Sequence, residues 1–394
     1  MDFSGKNEHK KNLMPVLASY NNPSVEKLMQ KRGMLQEGEL PADALTRAVN
    51  GLIEAEEWFN QSPLEIDVFK QNILELLGKQ QIVLGTPIIT NAGRENRPTS
   101  ACVVIPVDLG ADLSKIQETI TPYFEMAMGS GFDLSTVDDP VKILKDLNEI
   151  TKVIEKKCER PVASMGMLRV DHPKILEFIA AKRNEDFNDW RFDISVACSD
   201  EFMMALNNDQ EWPLKDSERQ VIKTVQAKEI FSQIVDSSHY CGEPGLLFMD
   251  RFDQDNPVPQ IKYQTVAPCA EIAMAPGEVC QFSYINLAKI VRREDEQIVF
   301  DFEQLSHVAK QLVRILDNSV EISAKNAVND SNIILSKRRI GIGVCGAADL
   351  LIELGLQYDS SLARDLMADI IAVINYYSKE ASVALAQVRG AFPL

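Results

Sequence analysis

Apolar residues recur at helical spacing from Thr46 to Phe59 and again from Ile66 to Leu77, so the stretch 24–80 reads as a series of helices. Gly85-Thr86-Pro87 breaks that periodicity. Beyond it the pattern alternates. Cys102-Val-Val-Ile-Pro is short, apolar and β-rich and reads as a buried strand, Leu113 to Met128 returns to helical spacing, and Gly129-Ser130-Gly131 reads as a turn. A charged helix is expected over 136–158. Arg169-Val-Asp-His-Pro reads as a turn in which Pro173 can open a helix over Lys174–Ala181. Phe192–Ala197 reads as a strand, Asp200–Asn207 as a helix, the polar Asn208–Glu218 as a surface insertion and Lys228–Ser238 as a helix. Strands at 245–249 and 281–287 flank a proline-rich loop running from Asn256 to Cys269. A long helix over 302–322, a strand at Ile340-Gly-Ile-Gly-Val and helices over 345–355 and 360–388 follow. This alternation predicts an α/β protein with largely parallel strands. It divides into a helical N-terminal region, 1–80, and an α/β domain over 81–394.

With 394 residues, 45% of them hydrophobic, the chain can bury a large core. A formal charge of −17 repels a phosphodiester backbone, which argues against direct nucleic-acid binding but leaves room for a local pocket that takes a free nucleotide. Seven cysteines without a Cys-x-x-Cys pair, and only four histidines, argue against a structural metal site. The opening MDFSGKNEHKKNLMP is too polar for a signal peptide, and no apolar run approaches the ~20 residues of a membrane span. A reduced, cytoplasmic protein is expected.

A free cysteine is ordinarily a small buried hydrophobe. Cys269 has a different setting, preceded by Pro268 and followed two residues later by Glu271, which sets a thiol and a carboxylate side by side on a loop. Gly341-x-Gly343-x-x-Gly346 fits a dinucleotide-binding pattern, but its glycines fall partly inside the strand and Asp359 ends no second strand. Close strand–helix packing is the better reading. His172 reads as a turn or helix-cap residue, and His239 and His307 as helical surface or core groups. Lys337-Arg338-Arg339 reads as a solvated basic cluster or a phosphate contact.

Several longer runs, in this order, resemble the large catalytic subunit of the ribonucleotide reductases, most closely the adenosylcobalamin-dependent class. They include Gly-Thr-Pro-Ile-Ile-Thr-Asn-Ala-Gly-Arg-Glu (85–95), Ser-Ala-Cys-Val-Val (100–104) and Met-Gly-Met-Leu-Arg-Val-Asp-His-Pro-Lys-Ile-Leu-Glu-Phe-Ile (165–179). Others are Phe-Asp-Ile-Ser-Val (192–196), Gly-Glu-Pro-Gly-Leu-Leu-Phe-Met-Asp-Arg (242–251), Pro-Cys-Ala-Glu-Ile (268–272), Arg-Arg-Ile-Gly-Ile-Gly-Val (338–344) and Arg-Gly-Ala-Phe-Pro-Leu (389–394). The likeness covers the chain from about residue 80 onward.

The resemblance implies a partial ten-stranded α/β barrel over 81–394, with Cys269 on a finger loop at its centre. Cys269 would form the thiyl radical that removes the substrate's 3'-hydrogen, and Glu271 would take the 3'-hydroxyl proton. Cys102 and Cys280 would be the dithiol that reduces the 2'-carbon. Thr86, Pro87, Ser100, Ala101 and Ala267 would line the substrate. The implied cofactor is adenosylcobalamin, the substrate a ribonucleoside di- or triphosphate, and the reductant a thioredoxin-like protein.

Departures accompany the likeness. The family's asparagine two residues before the radical cysteine is Ala267 here. Its glycine-rich stretch before Met165 is replaced by Lys157-Cys-Glu-Arg-Pro-Val-Ala-Ser164, where Glu159 opposes a substrate phosphate and Pro161 removes an amide donor. The sequence stops at Phe392-Pro-Leu, so a second polypeptide is expected to supply the remaining strands and a Thr/Ser-rich phosphate loop. Two other readings stand beside the reductase: a radical enzyme acting on another nucleotide-like substrate, and a non-catalytic homologue with an assembly or regulatory role.

Overall fold

A computed structural model describes residues 16–59, 61–158, 161–183, 189–328 and 330–394, so the opening segment and Glu159 lie outside the described residues. The strands in chain order are β1 (Ile82–Leu84), β2 (Cys102–Val103), β3 (Gly129–Asp133), β4 (Ser164–Arg169), β5 (Phe192–Ala197), β6 (Glu211–Lys215) and β7 (Val221–Gln226). They continue as β8 (Gly245–Leu247), β9 (Thr265–Val266), β10 (Ala273–Met274), β11 (Val279–Asn286), β12 (Val291–Glu294), β13 (Gln297–Phe300) and β14 (Ile340–Cys345). The chain forms two compact units, one from the residues up to Ala101 together with Cys280–Leu394, the other from Cys102–Val279. Together they are mixed α/β, as the alternation of patterns predicts.

In the first unit the helices Pro23–Lys31, Pro41–Ile53 and Pro63–Gly78 each carry proline in the first turn, where its missing N–H costs nothing. Ser62 and Glu65 close a reciprocal cap on the third, with Ser62 N donating to Glu65 Oε2 at 3.0 Å. Their apolar faces meet those of Phe302–Lys325, whose Leu305, Val308, Leu312 and Leu316 recur every three or four residues and are fully buried. Each such side chain contributes roughly 1.5–3 kcal/mol on burial. β11 is central to this unit's sheet, antiparallel to β1 and parallel to β14. The glycines of β14, and Gly346 just after it, crowd the neighbouring strand β11, where the sequence reading expected strand–helix packing. A Cβ on Gly343 would lie 2.6 Å from the Tyr284 ring, and one on Gly346, at φ +70°, would lie 2.2 Å from Asn286 Oδ1.

A buried ionic network ties three helical segments of this unit together. Glu56, with no exposure, accepts from Arg314 Nε (2.9 Å), Asn318 Nδ2 (2.9 Å) and Arg389 Nη2 (2.9 Å). Burial alone would push its carboxyl up, but Arg314, Arg389 and Asn318 outweigh it and hold the group below the ordinary carboxylate range. Arg338 pairs with Asp317 (2.8 Å) and Glu321 (2.5 Å) in the same region. This corrects the sequence reading of Arg338. It is neither solvated nor open to phosphate, because two carboxylates of the long helix already neutralise it.

The second unit is built on a five-stranded parallel sheet in the order β2-β3-β4-β5-β8. One face packs on helices: a Cβ on Gly166 would meet Leu144 and Leu134 at 2.8 and 3.3 Å. The pairings Cys102↔Gly129, Gly131↔Met165 and Met165↔Asp193 put those residues on the opposite face. Two expectations are corrected here. Gly129-Ser130-Gly131 is strand, not turn, because something must pass close over it (below). Asn208–Glu218, read as a surface insertion, holds β6, the first strand of an antiparallel hairpin completed by β7. Only Trp212 and Leu214 of β6 are buried, so its composition looks like that of a surface segment. β1, β4 and the hairpin β12/β13 appear where no strand was expected.

Candidate active site

β9 and β10 form a short antiparallel hairpin, Thr265 opposite Met274 and Val266 opposite Ala273, which lifts residues 267–272 into a loop with Cys269 near its tip. The loop is closed by Ala267 N donating to Ile272 O and by Ala270 N donating to Ala267 O, each 2.9 Å. Ala270 takes φ +62°, a left-handed conformation that costs an alanine about 1 kcal/mol.

The hairpin lies across the helix-free face of the parallel sheet, and the glycines of β3 make that approach possible. A Cβ on Gly131 would fall 1.9 Å from Val266 O, and one on Gly129 would fall 2.7 Å from Pro268 Cγ and 2.6 Å from Ala163 O. Val266 and Ala273 complete a small apolar cluster with Met165, Met167, Ala197 and Leu247 from the strands beneath. Cys102, in register with Gly129, leaves the sheet on this same face. The unit therefore brings Cys102, Ala267, Cys269 and Glu271 to one side of one sheet. Cys269 and Glu271 are exposed, and Cys102 and Ala267 are buried.

The electrostatics around Cys269 are those of a thiol, not a thiolate. Partial burial pushes its pKa up, and the carboxylates of Glu271 and Asp193 push it the same way. A nucleophilic cysteine needs the opposite, a cationic surrounding that lowers the pKa. Cys269 keeps its S–H bond, which suits hydrogen-atom rather than nucleophilic chemistry. Asp193 escaped the sequence reading. Its signal was present: Asp193 is the one charged residue of the strand Phe192–Ala197, exposed between buried Phe192 and Ile194.

The remaining expected site residues lie in the other unit, along β11. Cys280 is buried near the start of that strand, and its carbonyl accepts from Ala101 N at 3.1 Å. Next to it, Gln281 Nε2 donates to Ser100 Oγ (2.8 Å), and Ser100 Oγ donates to Ser323 Oγ (2.8 Å). Ser319 Oγ donates to Gln281 Oε1 (3.3 Å), and Thr99 N donates to Ser323 Oγ (2.9 Å). The Ser100 hydroxyl is thus committed to a buried network that fixes residues 99–101 against β11. Gly85 opens the helix Thr86–Asn91, and its N–H donates to Ser283 Oγ at 3.3 Å. A Cβ there would sit 2.5 Å from Phe282 O, so Gly85 lets half-buried Thr86 and buried Pro87 start their helix hard against β11. His172 is a turn residue, its Nδ1 accepting from Lys174 N at 3.1 Å. Among the described residues no cluster of three or more metal-ligating side chains occurs, and no helix is long and apolar enough to cross a membrane.

Residues 100–394 match a family model described as ribonucleotide reductase, barrel domain. The chain is 32% identical, over 81% of its length and 43% of the relative's, to a vitamin B12-dependent ribonucleoside-diphosphate reductase of Thermoplasma acidophilum. It is 29% identical to a protein of the same name from Mycobacterium tuberculosis, over 81% of this chain and 48% of that one. It is also 24% identical to a vitamin B12-dependent ribonucleotide reductase of Streptomyces coelicolor, over 84% of this chain and 39% of that one. The chain spans less than half the length of these relatives.

Proposed function

The chain belongs to the ribonucleotide reductase family, and on that footing we propose that it carries the radical and dithiol residues of a cobalamin-dependent enzyme that converts a ribonucleotide to its 2'-deoxyribonucleotide. The observation that supports this most is the β9/β10 finger: a protonated thiol, Cys269, held over a glycine-cleared lane on the sheet face that also bears Cys102. Such a tip fits the chemistry of adenosylcobalamin, which when bound supplies the radical that takes the hydrogen atom from Cys269.

The chain's own residues do the rest. The Cys269 sulfur takes the 3'-hydrogen of the substrate and later returns a hydrogen there. Glu271, two residues along the same loop, accepts the 3'-hydroxyl proton. Loss of the 2'-hydroxyl as water is matched by two electrons and two protons from Cys102 and Cys280, which close to a disulfide. A thioredoxin-like reductant reopens it. Thr86, Pro87, Ser100 and Ala101 line the substrate, and Ser100 does so without its hydroxyl, which is already used. The reading places the enzyme in the cytoplasm, with further polypeptide completing the barrel, a ribonucleoside di- or triphosphate as substrate, and no nucleic-acid partner.

The test is adenosylcobalamin-dependent turnover of the four ribonucleotides by the natively purified protein with whatever co-purifies. Turnover that disappears with Cys269→Ala supports the proposal, and cobalamin-independent or Cys269-independent turnover refutes it. One observation favours a second reading, a different nucleotide-like substrate. Ala267 presents only a methyl group beside the finger, and its N–H is spent on Ile272 O. If so, Ala267→Asn raises turnover of ordinary ribonucleotides; unchanged turnover removes the reason for that reading.

A further inference from the structure

Lys182 and Glu243 form a buried ion pair in the second unit that the reductase proposal does not use. Lys182 Nζ donates to Glu243 Oε1 at 2.5 Å. Both members also grip the backbone of β5. Lys182 Nζ donates to Phe192 O, and Ile194 N donates to Glu243 Oε2, each at 2.7 Å. The sheet explains why they are needed. β8 begins at Gly245, opposite Ser195, so among the described residues no strand lies along this edge of β5 before that point. The Phe192 carbonyl and the Ile194 N–H would lack ladder partners there. The two side chains stand in for the missing strand.

The residue between those two grips is Asp193. It is in register with Met165, and through it with Gly131, in the row of the sheet that the finger crosses at Val266. The Asp193 side chain is exposed and makes no hydrogen bond or ion pair among the described residues, so the backbone of β5 alone places it. Its carboxylate acts on the Cys269 thiol and helps to push that pKa up, whereas Glu243 is not among the charges that do so. A buried ion pair adds little stability over apolar residues of the same volume, and its best-attested use is to fix register. Here the register it fixes is that of the two peptide groups flanking Asp193.

We propose that Lys182 and Glu243 are positioning residues for the finger site: by holding the backbone of β5 on both sides of Asp193, they fix its carboxylate beside the Cys269 loop. The proposal rests on the reading of Cys269 as the reacting thiol and deepens it. A thiol that must keep its hydrogen depends on where the neighbouring negative charge stands, and the ion pair sets that place from the edge of the strand.

The experiment titrates Cys269 in the intact protein by the pH dependence of its iodoacetamide rate, read by mass spectrometry on the peptide that carries it. Glu243→Asp keeps the charge but is one methylene too short to reach Lys182 and Ile194 together. The expected result is a lower Cys269 midpoint in Glu243→Asp and in Asp193→Asn, with no further fall when the two are combined. A midpoint that either single variant leaves unchanged overturns the proposal. So does a fall that Glu243→Asp produces equally in the Asp193→Asn background, because the pair then does not act through Asp193. A merely structural loss lowers the melting temperature in both backgrounds alike and leaves the midpoint where it was. Should Glu243→Asp fail to fold, Glu243→Gln repeats the cycle with the same expectation, since its amide nitrogen turns a donor toward one of the two donors. The readout is a thiol titration, not turnover, so its failure leaves the reductase proposal standing, and the failure of that proposal leaves the coupling measurable.

Discussion

Adding one methyl group at Gly131 tests how the finger is held. A Cβ there would lie 1.9 Å from Val266 O, whereas ordinary contact begins at 3.4 Å, so the finger must retreat by about 1.5 Å. The obstacle is a backbone carbonyl in a hairpin, which cannot rotate aside as a side chain would. Overpacking of this kind costs about 1–3 kcal/mol. For a unit of this size each kcal/mol lowers the melting temperature by roughly 2–4 °C, so Gly131→Ala melts about 2–12 °C below the wild type. Gly166→Ala is the control. On the opposite face its Cβ meets methyl groups of Leu144, Leu134 and Ile194, at 2.8, 3.3 and 3.8 Å, and these side-chain ends can shift. On the proposed function, a displacement of order 1 Å at the reacting atom costs about 10²-fold in turnover. Thermal melts and the alkylation rate of Cys269 report the two effects. The reasoning is refuted if Gly131→Ala melts with the wild type and its Cys269 reacts at the wild-type rate.

Two further outcomes follow from charge. Glu271→Gln removes one of the two carboxylates that raise the Cys269 pKa, so its thiolate fraction, and its iodoacetamide rate at pH 8, rise; a fall or no change contradicts the electrostatic account. Glu56→Gln leaves Arg314 without its carboxylate and Arg389 with Asp317 alone, and costs about 3–5 kcal/mol in urea unfolding at pH 7. Because Glu56 titrates below its unfolded value near ~4.3, its contribution is full above that pH and is lost as pH falls through the lowered folded value. The variant therefore loses that part of the acid sensitivity, and an unchanged acid-unfolding profile counts against the network.

Local periodicity was enough for most elements. Helical spacing over 46–59, 302–322 and 360–388 fell on Pro41–Ile53 with the turn after it, Phe302–Lys325 and Ser361–Arg389, because each of these helices buries one face, and the short runs at 192–197 and 340–344 marked β5 and β14. The same reasoning failed where the partner of a residue is remote in sequence. Gly129-Ser130-Gly131 looks like a turn until the hairpin 135 residues later is seen to pass over it, Val266 O against Gly131. β6 looks like a polar insertion because only Trp212 and Leu214 turn inward. Arg338 looks solvated because its carboxylates, Asp317 and Glu321, sit on a helix packed against it rather than beside it in the chain.

The site divides in the same way. Residue type and order alone singled out Cys269 with Glu271, and the longer motifs singled out Cys102 and Cys280. Only the tertiary structure put Cys102 on the finger-bearing face, added Asp193 to the charges around Cys269, and committed the Ser100 hydroxyl to Gln281 and Ser323. The reason is physical. Covalent neighbours and the period of burial are written along the chain. The field at a thiol, or the room above a glycine, depends on atoms that only folding brings near.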